Sequence, residues 1–196
     1  SFFEKAASAL EARAGRIAED MTAEMGKPLR ESRLEALRAA AILRYAAGEP
    51  WRPVGELYEP SVARQRLYTL RRPLGVVGLI TPWNFPIAIP AWKSAPALAF
   101  GNTVVLKPAE LTPASAWAMA EIISRSGIPK GAFNLVMGKG SVIGEALVGH
   151  PDVAGVSFTG SIGVGGAIAE KCAERLAKVQ LEMGGKNPLV VLDDAD

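Results

Sequence analysis

Two carboxylates, a lysine, an amide and a run of glycines are the groups here with chemistry to offer. The run "TGSIGVG", Thr159 to Gly165, has glycines at 160, 163 and 165 in a turn that opens a helix. Backbone N–H groups at a helix start attract anions, and Ser161 adds a hydroxyl, so the pyrophosphate of a dinucleotide suits this turn. The spacing is not G-x-G-x-x-G, however, and a ligand-free glycine-rich helix start explains it equally well. Lys107 and Glu110 close a strand-like run, where an acidic residue can accept both hydroxyls of an adenosine ribose while the lysine donates to the same sugar. Glu110 would repel a 2′-phosphate, which favours NAD over NADP. The structural alternative is a solvated pair beside a turn. Asn84 lies between Pro82 and Pro86, placed either to donate its amide to a developing oxyanion or to brace a turn. In "KVQLEM", Glu182 alternates with the apolar Val179, Leu181 and Met183 and precedes Gly184 and Gly185. That pattern suits a general base beside open space, or else a solvated strand-end charge.

Other reactive residues read as structural. Cys172 shares an apolar stripe with Ile168, Leu176 and Val179, where a cysteine acts as a small hydrophobe. His150, in "GHPDV", sits in a helix-to-strand turn at the far edge of the sheet. Trp83 and Trp92, taken singly, read as packing residues. "GGKNP" is no Walker loop, lacking the earlier glycine and the Ser or Thr after Lys186.

These residues must be positioned by a chain of 196 residues, enough for one or two domains at about 150 residues each. With 22 basic and 20 acidic residues the net charge is only +2, which excludes a polybasic nucleic-acid binder. An apolar share of 49% excludes disorder. One cysteine and one histidine exclude an internal disulfide and a Cys/His zinc cluster, and fit a cytoplasmic protein. The most apolar stretch, residues 87–100, is interrupted by Pro90, Lys93 and Pro96, so no membrane span is expected. The sequence begins at Ser1 without a signal-like core and stops at "VVLDDAD", so a fragment of a longer protein is expected.

Residues 1–47 read as two helices broken at "MGKP", and 48–62 as a Pro-rich connection. Arg64 to Arg72 reads as an exposed strand. From Leu74 onward "GVVGLI", "NTVVLK", "AFNLVM", "VAGVSF" and "AKVQLEM" are strands, with helices near 89–100, 112–126, 141–149 and 161–175. "NPLVVL" is a candidate sixth. Strands alternating with helices spell βαβ units: an α/β fold whose parallel sheet is covered on both faces. The polar turns "TPWNFP", "KPAELTP", "GKGSVIG", "TGSIGVG" and "EMGGKNP" each follow a strand and therefore converge on one rim, where such sheets bind ligands.

Taken together, "TPWNFP", "GNTVVLKPAELTP", "SFTGSIGVG" and "LEMGGKNP", with "EMGKP" near the start, resemble the NAD(P)-dependent aldehyde dehydrogenase superfamily over nearly the whole chain. The stretches around residues 84–110 and 178–196 are most similar to 2,5-dioxovalerate (α-ketoglutaric semialdehyde) dehydrogenases, with succinate-semialdehyde dehydrogenases next. The resemblance implies a Rossmann-like fold, truncated before the catalytic domain. Residues 1–63 would be N-terminal helices and connection of the cofactor-binding domain, 64–73 an oligomerisation-arm strand, and 74–196 the dinucleotide-binding domain.

The implied reaction oxidises a small aldehyde to the acid through a cysteine thiohemiacetal and thioester. Asn84 would hold the oxyanion and Glu182 would activate water. NAD, or alternatively NADP, would be held by Thr81, Pro82, Trp83, Lys107, Ala109, Glu110, Gly140, Ser141, Gly144, Phe158, Thr159, Gly160, Ser161, Val164, Met183 and Gly184. No metal, nucleic acid or membrane is implied, and the parent would be a homodimer or homotetramer. The family's nucleophile follows the "LE-x-GG" motif by some tens of residues. Cys172 precedes Glu182, so the fragment alone is expected to be inactive. Two other classes stay open: a dinucleotide-binding module without chemistry, and a reductase of acyl phosphates or acyl thioesters, against which Glu182 argues.

Overall fold

The structure, a computed structural model, describes residues 1–52 and 55–195. Three amphipathic helices come first: α1 (Phe2–Ala12), α2 (Ala14–Met25) and α3 (Leu29–Gly48), followed by a 3-10 turn at Glu49–Trp51. The two-helix expectation is thus corrected. Arg13 leaves helical geometry at φ −103° and ψ 3°, and its guanidinium turns outward to Glu121 at 2.8 Å. Apolar periodicity runs through the break unchanged, so the pattern could not report it. Helix α2 ends on Gly26 at φ +77°, a left-handed cap that glycine adopts without a Cβ penalty.

The exposed strand expected over Arg64–Arg72 shrinks to β2 (Leu67–Tyr68), paired antiparallel with β1 (Leu57–Tyr58). Its partner lies inside the segment read as a plain connection, where a two-residue strand is too short to show alternation. Residues 53 and 54 of that connection lie outside the described residues, as does Asp196.

The main sheet is built from β3 (Val76–Ile80), β4 (Thr103–Lys107), β5 (Phe133–Leu135), β6 (Val153–Gly160) and β7 (Lys178–Met183). All its pairings are parallel, in the order β5-β4-β3-β6-β7. Helices α4 (Ala88–Ala99), α5 (Pro113–Arg125), α6 (Glu145–Gly149) and α7 (Ile162–Glu174) connect the strands, and a π turn at Gly140–Gly144 leads into α6. "NPLVVL" forms no strand. Pro188 removes a ladder donor, and Leu189 to Leu192 have no layer to bury against and stay exposed.

Strand alternation sorts the cores. Val77, Leu79, Val104 and Leu106 face α3, α4 and α5 in the larger core, which includes Leu10, Ile17, Met21, Leu43 and Met119. Val156 and Phe158 face the other way and pack with Leu147, Ile168 and Cys172. Cys172 is fully buried beside Ile168 as expected, but the stripe stops there: α7 ends at Glu174, Leu176 beyond it is exposed, and Val179 is exposed on β7. His150 lies before β6, at the edge opposite the polar turns, where its Nδ1 accepts the Asp152 N–H. Among the described residues no helix is long and apolar enough to cross a membrane.

The N-terminal helices are tied to the sheet layer by carboxylates placed at helix starts. Glu24 of α2 accepts the Ala114 N–H at 2.5 Å, the Ser115 N–H at 3.4 Å and the Ser115 hydroxyl at 3.2 Å. Helix α5 has no side-chain cap of its own, so Glu24 satisfies orphan donors and complements the positive helix end. Glu24→Ala is expected to lower stability by about 1–2 kcal/mol, the scale of a lost N-cap. Urea denaturation at neutral pH checks this, and an unchanged midpoint would contradict the capping role.

Candidate functional site

The strand order reverses between β3 and β6: from β3 the chain steps outward through β4 to β5, then returns to lay β6 on the other side of β3. Connections leaving β3 and β6 therefore diverge onto opposite faces and open a crevice beyond the carboxyl ends. A cleft of about 790 Å³ lies there, framed by Pro82, Trp83 and Asn84 after β3, Thr159, Gly160 and Ser161 at the end of β6, and Glu182, Met183 and Gly184 at the end of β7. Three turns far apart in sequence thus meet at one place.

The glycine turn is shaped by what lies under it. A Cβ on Gly160 would sit 2.5 Å from the Phe158 ring, so any larger residue would force that buried ring to shift. Phe158 itself is buried, its ring packed under Gly160. Ser161 caps α7 in extended geometry without using its side chain, leaving the hydroxyl and the first α7 amides free. Val164 is exposed one turn further on.

Register makes β6 and β7 two-faced. Ser157 pairs with Gln180 and Thr159 with Glu182 on one side, while Val156, Phe158, Val179, Leu181 and Met183 point to the other. Glu182 therefore leaves the apolar face, as its alternation predicted. It is exposed, and one oxygen accepts the Thr159 hydroxyl at 3.2 Å.

Lys93 was missed by sequence reasoning, which saw it only as an interruption of an apolar run. From α4 its ammonium donates to Ser157 Oγ at 2.8 Å and Gln180 Oε1 at 3.1 Å. Burial pushes this lysine's pKa down, while the Glu182 carboxylate pulls it back up. A lone lysine in an otherwise apolar helix was the available signal.

A second cluster lies beyond β4 and β5. Lys107 is buried, with Nζ 3.9 Å from Glu110 Oε1, and the same oxygen accepts the Gly140 N–H at 2.7 Å. The predicted ribose pair is thus joined to the π turn that carries Ser141, exposed, and Gly144, buried. Ala109 sits half-buried between Lys107 and Glu110 in sequence. Thr81 links the clusters: its N–H donates to the Lys107 carbonyl at 3.2 Å, and its buried hydroxyl has no partner among the described residues. Among the described residues no group of acidic, His or Cys side chains could hold a metal ion.

The chain matches the aldehyde dehydrogenase family profile over residues 1–196. It belongs to the aldehyde dehydrogenase family. It is 50% identical over 192 residues to the alpha-ketoglutaric semialdehyde dehydrogenase of Bacillus subtilis, covering 98% of this chain and 39% of that protein. It is 47% identical over 176 residues to the mitochondrial succinate-semialdehyde dehydrogenase of Arabidopsis thaliana, covering 90% of this chain and 33% of that one. The fold superposes on betaine aldehyde dehydrogenase from Staphylococcus aureus, solved in complex with NAD+, with a TM-score of 0.94 and 36% identity. That match covers 100% of this chain and 39% of the other. This aldehyde dehydrogenase family chain therefore spans about two fifths or less of the length of these relatives.

The Lys107 environment gives a titration with a definite sign. Burial lowers its pKa from the ordinary 10.5, and the Glu110 carboxylate opposes that shift. The folded chain thus binds this proton less tightly than the unfolded one. The resulting penalty is present below the folded pKa and is relieved as pH rises toward 10.5. Glu110→Gln removes the opposing charge and is expected to lower the Lys107 pKa further, read by NMR of labelled lysine side chains. A pKa unchanged or raised in the variant would contradict this electrostatic picture.

Proposed function

We propose that this chain forms the cofactor side of an NAD-dependent aldehyde dehydrogenase that oxidises a small semialdehyde to the corresponding acid. The observation that carries the reading is the meeting of Asn84, the Gly160–Ser161 turn and Glu182 in one cleft beyond the strand-order reversal.

The residues present fit a dinucleotide on chemical grounds. Thr81, directly after β3, has a buried hydroxyl with no partner among the described residues, and Ser161 offers a hydroxyl that makes no cap bond beside the start of a 13-residue helix. Gly160, Ser161 and Val164 would line the pyrophosphate. Lys107, Ala109 and Glu110, with Gly140, Ser141 and Gly144, would hold the adenosine end. Thr81, Pro82, Trp83, Phe158 (through its backbone), Thr159, Met183 and Gly184 would border the nicotinamide end. When bound, the cofactor would supply the acceptor for the hydride that leaves the aldehyde carbon.

Two further roles fall to this chain's own side chains. Asn84 would donate its amide to the carbonyl oxygen as negative charge gathers there. Glu182 would take a proton from water, its carboxylate reaching the cleft from the polar side of β7. The sole cysteine, Cys172, is buried on the opposite face of the sheet, so the nucleophile would come from chain outside these 196 residues. The semialdehyde preference rests on the two relatives named above. We further propose a homo-oligomer joined through the β1–β2 ribbon, which exposes Leu57, Tyr58, Leu67 and Tyr68.

Steady-state kinetics of the full-length polypeptide with NAD and NADP test the reading. NAD is expected to give the higher kcat/KM, and Glu110→Gln to narrow the difference by easing repulsion of the 2′-phosphate. Asn84→Ala is expected to lower kcat by about a hundredfold or more, the scale of a lost oxyanion donor. Wild-type kcat in the Asn84→Ala variant would remove this side chain from the mechanism, and equal use of both cofactors would remove Glu110 as the selector.

A further inference from the structure

The "MGKP" turn between α2 and α3 does more than change the direction of the chain. Lys27 reaches from it across to the turn that carries Asn84. Its ammonium donates to the Asn84 backbone carbonyl at 2.6 Å and to Glu35 Oε2 at 2.5 Å, and lies 4.0 Å from the centroid of the Phe85 ring. The other oxygen of Glu35 accepts the Ile87 and Ala88 N–H groups, each at 3.1 Å. Helix α4 has no side-chain cap of its own, so Glu35 is its cap. One carboxylate thus divides its oxygens between the helix that follows Asn84 and the lysine that grips Asn84 itself.

The pair is well buried, with side-chain exposures of 12% for Lys27 and 2% for Glu35. At that depth solvent and salt screen the contacts little. As a stabilising device a buried ion pair is a poor choice, since apolar residues of similar volume often do as well or better. As a positioning device it is apt. Asn84 is exposed at the mouth of the cleft, and an amide that must meet developing charge has to be held to within a few tenths of an ångström.

We propose that Lys27 and Glu35 are positioning residues for Asn84: a charged clamp supplied by the N-terminal helices that fixes the donor before the aldehyde arrives. The proposal rests on the reading of Asn84 given above. It predicts that the N-terminal helices set the turnover rate without touching the substrate.

The test uses the full-length polypeptide and compares Lys27→Met/Glu35→Gln, which removes both charges together, with Asn84→Ala and with the triple variant. Thermal melting and NAD titration establish folding and cofactor affinity first. The double variant is expected to lose about ten- to a hundredfold in kcat, the scale of a misplaced catalytic group, with aldehyde KM and NAD Kd changed less than about threefold. Added to Asn84→Ala, the same pair of substitutions is expected to lower kcat less than about twofold further, because no donor is left to misplace. Lys27→Arg, which keeps the charge, is expected to restore most of the rate. Lys27→Met alone, which leaves the Glu35 carboxylate on the Ile87 and Ala88 amides at the start of α4, is the second variant if the double one does not fold, with the same expectations.

Wild-type kcat in the clamp variants, or an equal loss with and without Asn84, would overturn the clamp while leaving the role of Asn84 intact. An Asn84→Ala variant with wild-type kcat would instead overturn the functional reading, and the clamp with it.

Discussion

Parallel strands cannot be joined by tight turns, and this constraint shapes the whole molecule. Each return to the start of the next strand needs a crossover, so every strand in the sheet points its carboxyl end the same way. The polar turns that follow the strands therefore share one rim. Returning the chain to the other side of β3 after β5 then splits that rim, sending α4 and α7 to opposite faces. The crevice is a consequence of strand order before any side chain is considered. What the sequence adds is the set of groups standing at its edges.

Helices that flank a sheet start at this same rim, and their unpaired N–H groups have to be answered. Two are answered from the N-terminal helices: Glu24 at the start of α5 and Glu35 at the start of α4. Among the described residues the start of α7 is left unanswered by side chains, and it faces the cleft together with the capped start of α4, which supplies Ile89 and Trp92. Capped and uncapped helix starts thus meet at one cleft, where the uncapped one is open to an anion. The same electrostatics serves both, with a protein carboxylate at one kind of end and room for a phosphate group at the other.

The periodic features were legible from the sequence. Five β-branched runs and four helical stretches reveal themselves by pattern, and the alternation in "KVQLEM" sends Glu182 away from the apolar face before any coordinates exist. Placing Asn84, Gly160 and Glu182 in a single cleft also followed, because sheet topology alone brings their turns together. Contacts that depend on three-dimensional approach were not legible. The break at Arg13 leaves the apolar phase intact, and β1 is too short to alternate. Lys93, Lys27 and Glu35 owe their importance to partners 52 to 87 residues away, which no local pattern encodes. "NPLVVL" has strand-forming residues but no neighbour to pair with, a case where propensity lacks the tertiary support it needs.

The central claim is that turns following β3, β4, β5 and β6 form one dinucleotide site. Hydrogen–deuterium exchange of the full-length polypeptide during titration with NAD tests it most directly. The account predicts saturable binding with protection appearing together at residues 81–84, 107–110, 140–144 and 159–161. Protection confined to one of these turns, or no saturable binding at all, would contradict it.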